Sequence, residues 1–130
     1  MELSNRQFAD VIVATPVGRI DHAAATRLEA ALSPLIEQSM TRTAGLVLDF
    51  AGVEYISSVG LRVLMVAAKR LRTCNARIAV AALQPVVAEI FAISRFGAVL
   101  DIHSSVRAAL GDVSPAALAA FDASHGSAPT

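Results

Sequence analysis

Two adjacent hydroxyls, Ser57 and Ser58, stand between the runs GLVLDFAGVEYI and VGLRVLMVAAKRLRT. A serine can act as nucleophile, helix cap or phosphate acceptor, and its neighbours decide which. A nucleophile elbow needs glycine two residues before the serine, and Ile56 stands there before Ser58, so GxSxG is absent. The phosphate-cradling patterns GxxxxGKS/T and GxGxxG are absent as well. His22, His103 and His125 keep no ligand spacing, and Cys74 is the only cysteine, which leaves no disulfide, redox pair or zinc set. No catalytic residue, metal or cofactor is assigned. What remains is a hydroxyl at a helix start: Ser57 placed as N-cap and Ser58 in the first turn, beside backbone N–H groups that lack helical partners. Such a place tolerates a phosphate.

Several elements must position this turn. Phe8 to Ala14 (FADVIVA) and Val17 to Ile20 read as two short strands, bent into a hairpin at Pro16 and Gly18. Asp21 is placed to cap a helix carrying Ala24, Leu28, Leu32, Leu35 and Ile36 at helical spacing, and Pro34 predicts a kink or a break and restart. Gly45 to Phe50 reads as a buried strand with Asp49 at its end, and AGVEYI as the turn before Ser57. The helix from Ser57 has Leu61, Leu64, Met65, Ala68 and Leu71 on one side and Arg62, Lys69 and Thr73 on the other. A strand follows from Arg77 to Ala82, then a helix opened by Pro85 and closed before Gly97. A strand from Val99 to Ile102 precedes a helix from Ser104 to Leu110. Phe91, Ile93 and Phe96 read as core anchors. Pro115 to Phe121 reads as helical and ASHGSAPT as a disordered end. Alternating strands and helices after a hairpin predict an α/β fold: a mixed sheet of about five strands packed with about four helices.

A length of 130 residues suits one domain with one core. Eleven basic residues balance eleven acidic ones, so no global field draws a polyanion and nucleic acid is excluded as a partner. Much of the 55% hydrophobic content is alanine, and no apolar run approaches the roughly 18 residues of a membrane span, so no direct membrane insertion is expected. MELSNRQFAD lacks the basic and apolar regions of a secretory signal, which points to the cytoplasm. Oligomeric state is not legible.

The segment DFAGVEYISSVGLRVLMVAAKRL resembles the signature of STAS domains, the family of bacterial anti-sigma factor antagonists. The GRID opening and FAISRFGAVLDIHSSVRAAL resemble its flanking segments, so the likeness covers residues about 8 to 110. It implies a STAS-like unit over 1–112 and a C-terminal extension over 113–130. It also implies a hydroxyl phosphorylated by a partner kinase of the GHKL type, which doubles as the anti-sigma factor, and dephosphorylated by a PP2C-like phosphatase. The unmodified form would bind and neutralise that kinase.

The family's usual run is Asp-Ser-Ser-Gly, with the phosphate on the serine before the glycine, whereas this chain reads Ser57-Ser58-Val59-Gly60. Phosphorylation then falls on Ser58 first and Ser57 second, or the domain is not switched by phosphate at all. In the last case it would be a STAS subunit of a membrane transport complex such as a lipid ABC system. An esterase using Ser58 is a third reading. A phosphoserine adds about −1.5 to −2 charges, favoured at a helix N-terminus by roughly 0.3 to 1 kcal/mol. Against a partner carboxylate about 5 Å away it costs roughly 3 kcal/mol per charge pair before screening.

Residues expected at the partner interface are Asp21, Asp49, Tyr55, Ser57, Ser58, Val59, Gly60, Arg62, Val63 and Val66. Each has a plainer reading beside that one. Asp21 and Ser57 are helix caps, and Asp49 satisfies turn amides. Gly60, costly in a helix by about 1 kcal/mol, serves either a partner's approach or tight internal packing. Tyr55 meets a partner or lids the core. Arg62 and Lys69, with Val63 and Val66 on the same flank, form a solvated face or meet an acidic kinase surface.

Overall fold

The computed structural model of the 130-residue chain describes residues 1–42, 45–95 and 100–125. It opens on an antiparallel hairpin of β1 (Glu2–Phe8) and β2 (Val11–Ile20), with Phe8 opposite Val11 and Glu2 opposite Val17. The expected hairpin is present with a different turn: Pro16 and Gly18 lie inside β2, and the chain reverses at Ala9 and Asp10, with Ala9 at φ 54°. β1 escapes a sequence reading because it is an edge strand, mostly exposed, and ELSNRQF shows no apolar alternation. Pro16 fits because β2 changes partners there. Gly18 N donates to Gly52 O, so by the two-residue period the Pro16 nitrogen points to the same edge. On that edge pairing with one strand ends at Ala14 and pairing with the next begins at Gly18, so the missing N–H leaves no ladder bond unmade.

Those two neighbours are β3 (Gly45–Asp49) and β4 (Val53–Ile56), both parallel to β2. β5 (Arg77–Ala81) and β6 (Asp101–His103) continue the sheet in parallel, in the order β1-β2-β3-β5-β6 with β4 beside β2. The sheet is mixed, as expected, with six strands among the described residues. Its additions are β1 and β4, and the two strands expected between Phe8 and Ile20 are largely the single β2. Val99, the expected start of the last strand, lies outside the described residues.

α1 (His22–Arg42) runs unbroken through Pro34. The expected stop is overridden because Leu28, Leu32, Leu35 and Ile36 are buried on both sides of the exposed proline. Each buried aliphatic contributes about 1.5 to 3 kcal/mol, against about 3 kcal/mol for the proline. Next come α2 (Ser58–Arg72), α3 (Pro85–Ile93), α4 (Val106–Val113) and α5 (Pro115–His125). α4 passes through Gly111, and α5 continues beyond Phe121 through Ala123, Ser124 and His125, which were expected to be disordered. The rest of that expected disordered end, 126–130, lies outside the described residues.

The strands alternate their side chains between two cores. Ile12, Leu46, Leu48, Ile78 and Val80 meet Leu28, Leu64, Leu71 and Phe91 of α1, α2 and α3. Val11, Val13, Val47 and Ala79 meet Ala109, Leu110 and Ala117 of α4 and α5. Phe91 is buried edge-on against Phe50, ring centroids 6.1 Å apart. Ile93 is no core anchor: two residues from Phe91 is about 200° around the helix, and it is 77% exposed. Phe96 lies outside the described residues. Among the described residues no helix is long and apolar enough to cross a membrane.

Candidate functional site

β2 and β4 are parallel neighbours with Ile20 opposite Ile56, and each strand runs directly into a helix. The starts of α1 and α2 therefore lie side by side, about 5 Å apart across the ladder. This brings Asp21 together with Ser57, Ser58, Val59 and Gly60. Asp21 Oδ1 accepts from Ala24 N at 2.8 Å and caps α1. Ser57 N donates to Ile20 O at 2.8 Å, which extends the ladder by one residue and holds the next cap in place. Ser57, extended at φ −81° and ψ 168°, caps α2 by accepting from Gly60 N at 3.1 Å.

Ser58, the first residue of α2, is exposed and takes no part in that cap. No acidic side chain stands in the first turn of α2, so the positive end of its dipole meets no carboxylate of its own helix. Val59 is half-buried. For Gly60 the structure favours the packing motive: a Cβ would lie 2.8 Å from Ile56 Cγ1 and 2.9 Å from Ile20 Cγ2. A side chain would push α2 off the end of the ladder.

The flank of α2 leads away from this point as a groove of about 480 Å³, lined by Ser58, Leu61, Arg62, Met65, Val66 and Lys69 and closed by Ser94. Ser58, Arg62, Met65 and Lys69 recur every three or four residues and so form one helical stripe. Met65, expected to face the core, is half-buried and packs against it while also lining this stripe, and Gly60, Leu61, Leu64, Ala67, Ala68 and Leu71 make the buried face. Arg62 and Lys69 are exposed and join no ion pair among the described residues. Val63 turns the other way, into a cleft of about 350 Å³ against α1, and Val66 borders both hollows. Arg62 and Val63 thus belong to different surfaces.

Tyr55 is on β4 rather than in a turn, half-buried, with the guanidinium of its ladder partner Arg19 4.7 Å above the ring. That contact is worth about 0.5 to 1 kcal/mol at a surface. Asp49 ends β3, where Oδ1 accepts from Ala51 N at 3.1 Å. Leu48 lies opposite Ala14 and Ile56 opposite Ile20, six residues or about 20 Å apart along β2, so Asp49, next to Leu48, does not join the cluster. Arg19 and Ser94 carry no sequence signal for their places, since both depend on tertiary neighbours.

At the opposite edge of the sheet a second polar cluster gathers. Arg77 donates to Asp101 at 2.7 Å and to Asp112 at 2.6 Å, and His103 Nε2 lies 3.2 Å from Asp112. The hydrogen bond from Arg77 holds the Asp112 carboxyl below its ordinary value, and the two carboxylates raise Arg77. Among the described residues no group of three or more His, Cys, Asp and Glu side chains could hold a metal ion.

Residues 2–109 match the family model described as the STAS domain. The chain is 34% identical over 109 residues to BtrV of Bordetella bronchiseptica, an anti-sigma factor antagonist by name, covering 84% of this chain and 91% of that protein. Among solved structures, an anti-sigma factor antagonist from Mycobacterium paratuberculosis superposes with a TM-score of 0.78 at 24% identity, over 86% of this chain and 92% of that one. The Bacillus cell fate determinant SpoIIAA in its phosphorylated form gives 0.65 at 18%, over 87% and 100%. At these identities the two structures speak for the fold alone.

Proposed function

The chain belongs to the STAS domain family, and from that premise we propose that it is a cytoplasmic anti-sigma factor antagonist switched by phosphate at Ser58. In this reading the unphosphorylated protein sequesters an anti-sigma factor that is also a serine kinase of the GHKL type. The contact is made by the paired helix starts at Asp21 and Ser57 to Gly60 and by the groove flank carrying Arg62 and Val66. Tyr55 and Val63 border that contact, and Asp49 lies at its far margin. The kinase transfers the γ-phosphoryl group of ATP to Ser58 Oγ, ADP leaves, and the hydroxyl proton passes to solvent. A PP2C-like phosphatase restores the free hydroxyl. No residue of this chain is catalytic. We take 1–112 as the switching unit and 113–130 as an extension of it.

The observation that carries the reading is the division between the two serines. Ser57 Oγ is committed to the α2 cap, whereas Ser58 is exposed at the rim of a groove with Arg62 and Lys69 on its wall. A phosphate on Ser58 adds charge at the interface without removing a bond that holds the fold. Incubation with the cognate kinase and ATP, followed by mass mapping, is expected to place one phosphate on Ser58 and none on Ser58→Ala. A protein left unmodified, or modified only elsewhere, overturns the reading.

Val59 favours a second reading, because it stands, half-buried and without a hydroxyl, where the family pattern puts the acceptor. Under it the domain is a phosphate-independent subunit of a membrane transport complex. Co-purification with a membrane ATPase, together with no kinase modification, is its expected outcome.

A further inference from the structure

We infer that Arg62 is the internal counter-ion of a phosphate on Ser58, so that modification both adds negative charge and withdraws from the partner a cation that the unmodified site presents. The inference rests on Ser58 being the acceptor. Ser58 and Arg62 lie four residues apart on α2 and line the same groove. At that spacing two side chains are neighbours, about 5 to 6 Å between Cβ atoms. Helical side chains lean towards the N-terminus, which carries the Arg62 guanidinium back over the first turn. There it would meet phosphate oxygens in the two-pronged geometry that arginine forms with them.

Arg62 is available for this because it is exposed and joins no ion pair among the described residues. Arg70, one helical turn beyond Val66, already lies 4.0 Å from Glu37, and Arg19 covers Tyr55. Lys69 shares the stripe but stands eleven residues from Ser58, about 16 Å along the axis. An unmodified hydroxyl offers Arg62 no charge, so the guanidinium faces the groove. A phosphate claims it, leaving Lys69 as the cation of α2 on the groove wall.

Phosphoserine incorporated at position 58 during translation tests this without any kinase. In the phosphorylated protein the Arg62 Nε–H is expected to shift in the proton–nitrogen spectrum and to exchange more slowly with water than in the unmodified protein. The phosphate should raise the melting temperature at low salt, and the share owed to Arg62, about 2 °C, should vanish in Arg62→Gln, leaving the share owed to the helix dipole, persist in part in Arg62→Lys and remain in Lys69→Gln. An equal gain in Arg62→Gln, or an Arg62 Nε–H indifferent to the phosphate, overturns the inference. If the kinase instead fails to modify Ser58, the acceptor assignment falls while this measurement still reads the Ser58 to Arg62 pairing on its own.

Discussion

A helix cap binds its serine oxygen to one amide, and Ser57 is bound in that way to Gly60 N. Ser57→Ala is therefore expected to lower stability by about 1 kcal/mol, read from urea unfolding, while Ser58→Ala changes it by less than about 0.5 kcal/mol. Equal losses in the two variants would contradict the division of roles. Gly60→Ala should go against its helix propensity. The gain of about 1 kcal/mol from alanine is outweighed by contacts below 3.0 Å with Ile56 and Ile20, stiff buried side chains, for a net loss of about 1 to 2 kcal/mol. The same unfolding measurement reads it, and a stabilised variant would refute it. The caps at Asp21 and Ser57 are legible in sequence because each bonds an amide only three residues away. The reason for Gly60 is not, since Ile20 is forty positions earlier and meets it only through the ladder.

Among the elements, β4 decides where the site lies. In sequence VEYI reads as a turn because four residues between Gly52 and Ser57 show too little alternation to stand out, and only pairing with Gly18 to Ile20 makes them a strand. That pairing sets α1 and α2 side by side, which no local pattern announces. α1 shows the opposite case. Its apolar spacing was legible, and burial of that face carried the helix through a proline that local chemistry would stop at. Pro34→Ala should restore a backbone bond to Ala30 and stabilise by about 1 to 2 kcal/mol, after allowing for the greater freedom of the unfolded chain. Urea unfolding would show it, and a loss of stability would mean that the proline is itself required by packing.

At the scale of the whole molecule, the neutral net charge hides a separation. Arg62 and Lys69, unpaired among the described residues, line the α2 groove, while Asp101 and Asp112 gather around Arg77 at the β6 edge. Because Arg77 holds the folded-state pKa of Asp112 below that of the unfolded chain, the pair's contribution is fully present above the ordinary carboxylate value. It is lost as pH falls through the folded value. Wild type should exceed Asp112→Asn by about 1 kcal/mol or less at neutral pH, since the pair is exposed and screened. That gap should close on acidification below about pH 4. A gap that widens in acid would reverse the sign.

The same scale contains a long clasp. Ser114 Oγ donates to Asp10 Oδ1 at 2.6 Å across 104 positions, Phe121 meets Phe8 edge-on at 5.3 Å, and Asp122 takes both prongs of Arg107. α5 is synthesised after every strand it helps to cover. At about 5 to 20 residues per second, Asp10 waits roughly 5 to 20 s for Ser114 to be made. During that interval the hairpin has formed, a microsecond event, but Phe8, Val11 and Val13 still lack Ala117 and Phe121 over them. The nascent chain therefore carries a sticky valine-rich back for seconds, a window in which a chaperone or a neighbouring chain competes with its own last helix.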